Sequence, residues 1–244
     1  MQQPNTPAPT YHIIPATPSH IPHITAIVNH YILTTIVNKS YRPLPESHYQ
    51  NILTDNHSRR KLPFFVAIEV PQINDNGDNV NNNIEEAEGE KVIGFITVTP
   101  WFPSKLGYAY TLEVSLYISP TQRGGGIGTA LLATLISHLE GNEYFTFSEG
   151  GAVVPSSSPS LSSSKVPDEP NVLHGIPVKC TQLLALMAIV EDTELDGKVR
   201  RFYERQGFEV MGVMKGVGWK FGKRRNVRML AREMNVGYIP DFIE

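Results

Sequence analysis

One cysteine in 244 residues leaves no partner for an intrachain disulfide and no thiolate pair for a zinc site. Cys180 precedes the apolar run "TQLLALMAIV", so a packed strand thiol is a simpler expectation than a nucleophile. This usage predicts a reducing, cytoplasmic setting and no metal. Long apolar runs are missing too: "LLALMAIV", Leu183 to Val190, falls far short of the roughly 20 residues a spanning helix needs. The opening "MQQPNTPAPT" has neither a basic start nor an apolar core, so no secretory signal is expected. Charge of one sign is also lacking. With 21 Lys and Arg against 24 Asp and Glu, the formal net charge of -3 gives no field for nucleic acid. Basic residues gather only in "KFGKRRNVR", Lys220 to Arg228, where Lys223, Arg224 and Arg225 read as a solvated hairpin turn.

What is present reads as one α/β domain over residues 11–235, followed by a tail, 236–244. Two segments interrupt it. Residues 72–91 are rich in Asn and acids, and residues 148–175 in Ser and Pro. Neither carries enough apolar surface to order itself, so both read as solvated loop insertions. Around them, strands are expected over His12 to Ala16, Phe64 to Val70, Lys91 to Pro100, Thr111 to Ile118 and Leu183 to Val190, with two more ending near Arg232. The second and third form a hairpin. Helices are expected from Ser19, as N-cap, over Pro45 to Leu53, up to about Glu140, and over Asp196 to Gln206. The result is a mixed, mostly antiparallel sheet of about seven strands flanked by about four helices.

The fourth strand, "TLEVSLYI", alternates with period two, with Glu113, Ser115 and Tyr117 on one face. It runs into "SPTQRGGGIGTA" and then the amphipathic "LLATLISHLE". A strand that ends in glycines and passes directly into a helix makes an anion site, because the first turn has free N–H groups and the positive end of the helix dipole. With no Gly-Lys-Ser/Thr it is not a Walker loop, and its place after the fourth strand argues against a dinucleotide fingerprint. Arg123-x-x-Gly126-x-Gly128 before an apolar helix resembles the acyl-CoA loop of the GNAT acetyltransferase superfamily. "VRRFYERQGFEVMG" resembles that superfamily's last helix and following strand. "IVNHYILTTIVN", "TPWFPSKLGYAYTLEVSLYISP" and "GVMKGVGWKFGKRRNVRML" are similar to the phosphinothricin N-acetyltransferase-like enzymes.

The resemblance implies acetyl-CoA as cosubstrate and a small amine, of the amino-acid-like phosphinothricin or methionine sulfoximine type, as acceptor. It also implies a homodimer. For acetyl-CoA it implies a site of Tyr117, Ile118, Arg123, Gly124, Gly125, Gly126, Ile127, Gly128 and Thr129, with Ile118 pairing with pantetheine as an added strand would. Acetyl transfer to an amine needs a proton acceptor for the ammonium, a polarised thioester carbonyl and a proton for the thiolate. Glu113 is the expected base, Tyr203 the expected acid, and a backbone N–H where the fourth strand parts from the Leu183 strand the expected polarising group. Trp101, Tyr108, Tyr110 and Lys39 are expected at the acceptor. His30 reads as a helix-face residue.

The match is incomplete. Glu191 and Asp192 stand where the subgroup has Asn, Lys39 where it has an aromatic, and Ala109 where it often has Arg. A peptide acetyltransferase and a non-catalytic acyl-CoA-binding protein of the same fold are the competing expectations.

Overall fold

The computed structural model describes residues 10–70, 90–147, 175–191 and 193–237. Tyr11–Pro15 (β1) is followed by a single 3-10 turn and Ile21–Thr34 (α1). The expected cap at Ser19 gives way to two: Thr17, whose backbone N–H donates to His20 Nδ1 at 3.0 Å, caps the 3-10 turn Pro18–His20, and His20 is the cap of α1. Glu46–Thr54 (α2) continues through a π-helical turn, Asp55–Arg60. There the buried Asn56 donates to Thr97 Oγ1 and the Val98 carbonyl. Phe64–Glu69 (β2) and Val92–Pro100 (β3) pair antiparallel as the expected hairpin, and Thr111–Ile118 (β4) pairs with β3. Ile127–Gly141 (α3) follows the glycine loop, and Thr193–Arg205 (α4) precedes Glu209–Lys220 (β8) and Lys223–Glu233 (β9). Between the last two helices lie Tyr144–Thr146 (β5), Ile176–Val178 (β6) and Gln182–Ala188 (β7).

Seven strands form one sheet in the order β1-β2-β3-β4-β7-β9-β8, with β4 and β7 as its one parallel pair among the described residues. β5 and β6 make a separate two-stranded pair that the sequence reading missed. Strands of three residues are too short to show a period. The two interrupting segments fall almost wholly outside the described residues. Cys180 is buried, but in the turn before β7 rather than in a strand.

β3 is buried from Val92 through Val98, as an apolar run without alternation requires when both sheet faces are covered. On one face α3 inserts Ile127, Leu131, Leu132, Leu135 and Leu139 against Ile96, Val98, Leu112 and Leu183, and Phe202 and Tyr203 of α4 join them. On the other, Ile24, Val28 and Ile32 of α1 and Tyr49 and Leu53 of α2 cover Phe64, Val66 and Phe95. Each such side chain contributes about 1.5–3 kcal/mol of apolar burial. Among the described residues no helix is long and apolar enough to cross a membrane.

Candidate active site

β4 and β7 pair only over Thr111–Glu113 and Gln182–Leu184, then part, which opens a wedge in the middle of the sheet. Ser119 N–H donates to the Ile93 carbonyl, so the odd-numbered residues of β4 hydrogen-bond towards β3. By alternation the N–H and C=O groups of Leu116 and Ile118 face the wedge. This is the divergence expected at the Leu183 strand. It leaves backbone donors and acceptors directed at whatever lies between the strands.

Beyond the wedge comes the glycine loop. Gly124 and Gly126 have φ of 88° and 77°, a region that L side chains avoid. A Cβ on Gly124 would meet nothing within 4 Å, so the loop's outer surface is open. Gly128 serves a different end: its missing Cβ faces Phe202 and Leu116 at 3.6–3.8 Å, where α4 and β4 approach α3. Ile127 is buried in the core and can offer only its backbone outward. The first α3 hydrogen bond runs from Ala130 N–H to the Gly126 carbonyl, so the N–H groups of Ile127, Gly128 and Thr129 have no acceptor within the helix. Among the described residues no side chain caps this end, and no acidic residue lies in its first turn, whereas α2 and α4 both begin with acidic residues. Uncapped donors, an open backbone and the exposed Arg123 fit a pyrophosphate, and a strand edge beside them fits pantetheine.

Arg123 is held by a residue absent from the expected set. Its Nε and Nη2 donate to Tyr31 Oη at 3.2 and 3.0 Å, and that hydroxyl donates to the Ile118 carbonyl at 2.7 Å. Tyr31 belongs to the buried stripe of α1 with Ile24, Ile27 and Val28. A polar-tipped residue in an otherwise apolar helix face was the sequence signal for it.

Glu113 is half-buried at the apex of the wedge, opposite Thr99 of β3. Among the described residues no cation or hydrogen-bond donor pairs with its carboxylate. Burial alone raises its pKa above the usual carboxylate value. Four positions along, Tyr117 stacks on Phe95 with ring centres 5.5 Å apart and an interplanar angle of 22°, and its oxygen accepts a hydrogen bond from Asn38 Nδ2 at 3.1 Å. Burial raises the Tyr117 pKa, the Asn38 bond opposes this, and Tyr31 and Glu113 add to it. Tyr203 comes from the opposite face, packed edge-on to Phe202 and Phe208. Its pKa is raised by burial and then by Tyr117. The expected base and acid are thus brought within electrostatic reach of one phenol.

The expected acceptor residues do not form one cluster. The Trp101 backbone N–H donates to the Thr111 carbonyl, and its ring lies edge-on to Phe102, which contacts Tyr108. These three line the β3–β4 connection beside Glu113's end of the strand. Tyr110 instead packs against the α3-side core, on the face away from Glu113. Lys39 lies against the β8–β9 hairpin at Gly218, and its pKa is lowered by burial and then by Lys220 and Arg225. Glu191 is exposed and paired with Lys223 and Arg225. His30 is exposed, edge-on to Tyr31.

Residues 45–149 match the family described as Acetyltransferase (GNAT) family. A phosphinothricin N-acetyltransferase of Alcaligenes faecalis is 25% identical over 217 residues, 89% of this chain and 79% of the relative. An N-acetyltransferase of Streptomyces griseus is 28% identical over 215 residues, covering 88% and 81%. The crystal structure of a GNAT superfamily phosphinothricin acetyltransferase from Sinorhizobium meliloti in complex with acetyl-CoA superposes with a TM-score of 0.61 at 19% identity, over 92% of this chain and 89% of that one. Through its wedge, its glycine loop and the match of residues 45–149 to the GNAT family, the chain is similar to the acetyl-CoA-dependent N-acetyltransferases, the phosphinothricin N-acetyltransferases among them.

Proposed function

We propose that the chain acetylates the primary amine of a small, amino-acid-like molecule, with Glu113 accepting the amine's proton. The observation that carries this reading is a half-buried carboxylate without an ion pair among the described residues, set beside Tyr117 where the sheet opens. A structural glutamate would be paired, and a solvated one would have its ordinary pKa. Raising that pKa towards the working pH matches the base to an ammonium donor.

Arg123, Gly124, Gly125, Gly126 and the first N–H groups of α3 hold the pyrophosphate, and the edge of β4 at Ile118 orients pantetheine. Acetyl-CoA supplies the acetyl group as a thioester. A wedge N–H from β4 polarises the carbonyl by donating to its oxygen. Glu113 Oε takes one proton from the ammonium, the free amine nitrogen bonds to the thioester carbon, and the C–S bond breaks as Tyr203 Oη protonates the departing sulfur; the nitrogen's second proton restores Tyr203, and Glu113 returns its proton to solvent. Tyr203, its pKa raised by burial, carries its proton at neutral pH. Lys39, whose charge is disfavoured by burial and by two neighbouring cations, gains from an acceptor carboxylate. Trp101 and Tyr108 wall the acceptor's far side.

The test is turnover of acetyl-CoA against a panel of methionine sulfoximine, phosphinothricin, free amino acids, simple amines and histone-type peptides. Small amino-acid-like amines should have the highest kcat/KM, with phosphinothricin weak because Ala109 stands where relatives often carry Arg. Glu113→Gln should fold and lose about 10²- to 10⁴-fold in kcat. Wild-type rates in that variant across pH 6 to 9, or peptides well ahead of every small amine, would overturn the proposal.

A further inference from the structure

Lys220 ends β8 at the tip of the last hairpin and is 1% exposed. Its Nζ donates to the carbonyls of Ile32 at 2.7 Å, Asn38 at 2.7 Å and Ser40 at 2.9 Å. Among the described residues no carboxylate pairs with it. Burying an unpaired cation is costly, and a methionine of similar length would avoid that cost. Three converging carbonyls, however, need three donors from one point, which is what an ammonium provides. Two of the carbonyls belong to the segment after α1 and the third to α1's last turn, so one side chain ties that segment to the far edge of the sheet. Tyr41 adds a second tie through its hydroxyl to the Trp219 carbonyl.

The tied segment leads to the chemistry. Asn38 Oδ1 accepts the Ser40 N–H at 2.8 Å, which turns its amide so that Nδ2 meets Tyr117 Oη. Tyr117 therefore accepts from Asn38, and its own proton is directed elsewhere. We infer that Lys220 is a positioning residue for acetyl transfer: by gathering the Ile32, Asn38 and Ser40 carbonyls it holds the Asn38 amide on the Tyr117 hydroxyl beside Glu113. The inference rests on the proposed reading of Glu113 and Tyr117.

Two measurements on the full chain test it: hydrogen exchange over residues 35–41, and steady-state transfer to methionine sulfoximine. Lys220→Met should speed exchange there about tenfold or more and lower kcat/KM for the amine about tenfold. The KM for acetyl-CoA should stay within about twofold. Asn38→Ala should give a similar kinetic loss, and the double variant should lose little beyond either single one, since both act through one contact. A Lys220→Met variant with unchanged exchange, or with amine kcat/KM within about twofold of the parent, overturns the inference, as does a double variant whose loss is the product of the two. If Lys220→Met does not fold, Lys220→Arg carries the same cycle. If methionine sulfoximine is not turned over, unchanged exchange in 35–41 still refutes the tie and faster exchange supports it. Full activity in Glu113→Gln sinks the reading of the site; loss there beside a fully active Lys220→Met sinks the inference alone.

Discussion

Glu113 is held in a place that its ionised form disfavours, and this has a thermodynamic signature apart from rate. Its folded-state pKa is raised by burial, so relative to the unfolded chain the carboxyl favours folding when protonated. That contribution is fully present below the unfolded value near 4.5 and is lost as pH rises through the higher folded value. Glu113→Gln removes the ionisation but keeps the shape. Its Tm should therefore exceed the parent's at pH 7 to 8, and the difference should shrink as pH falls towards 4.5. A gain independent of pH, or a lower Tm at pH 7, would show that burial does not penalise this carboxylate. Such an inverse relation between stability and activity is common where a functional group is stored in an unfavourable state.

The residue scale is also where the sequence was least legible. Glu113 could be singled out because it shares a strand face with Tyr117 and matches the glutamate of the enzymes the sequence resembles. Lys220 looked like any lysine of a basic hairpin, yet its three partners lie 180 to 188 residues away. Local periodicity carries no record of such contacts. Asn38 and Tyr31 share this property; their roles arise only when α1 is laid across β4. Tyr110 was expected at the acceptor because it neighbours Glu113 in sequence, but the strand's pleat turns it to the other face.

At the scale of elements the record is better, since the joint of β4, glycine loop and α3 was readable from a change of period around the glycines. The structure refines the reason for each glycine. Gly124 and Gly126 are favoured by their positive φ, whereas Gly128 meets Phe202 and Leu116 only at ordinary van der Waals distance. Asp tolerates positive φ better than most residues, and its charge would oppose a bound pyrophosphate. Gly124→Asp should thus lower the apo Tm only slightly while removing most of the thermal stabilisation by CoA. Undiminished stabilisation by CoA would place the pyrophosphate elsewhere. Element ends were less legible, as the shifts at α1, α4 and β7 show. Caps and 3-10 turns compete over a few tenths of a kcal/mol, and tertiary packing decides them.

For the whole molecule, the interrupting segments leave and rejoin the fold at adjacent points. Thr146 pairs with Ile176 in the β5–β6 ladder, and Ile68 with Val92 across β2 and β3. Each interruption can be shortened without spanning a gap. Replacing Gly150 to His174 by a short Gly/Ser linker should leave Tm within a few degrees and kcat within about twofold, because loop length enters stability only logarithmically. A large fall in kcat with an unchanged Tm would instead assign the segment a part in turnover.

The last turn of α1 joins both halves of this enzyme. Tyr31 touches Arg123 and the Ile118 carbonyl, on the proposed cosubstrate side, while its neighbour Ile32 presents the carbonyl held by Lys220, on the proposed acceptor side. Two adjacent residues on a rigid helix cannot shift independently. On the proposed site, substitution of Tyr31 itself should therefore disturb both the grip on CoA and the mount of the acceptor segment, whereas changes confined to residues 35–41 should leave CoA affinity nearly unchanged. Breeding the two apart calls for changes on the β3–β4 connection, the other proposed wall of the acceptor site, which does not rest on that shared mount.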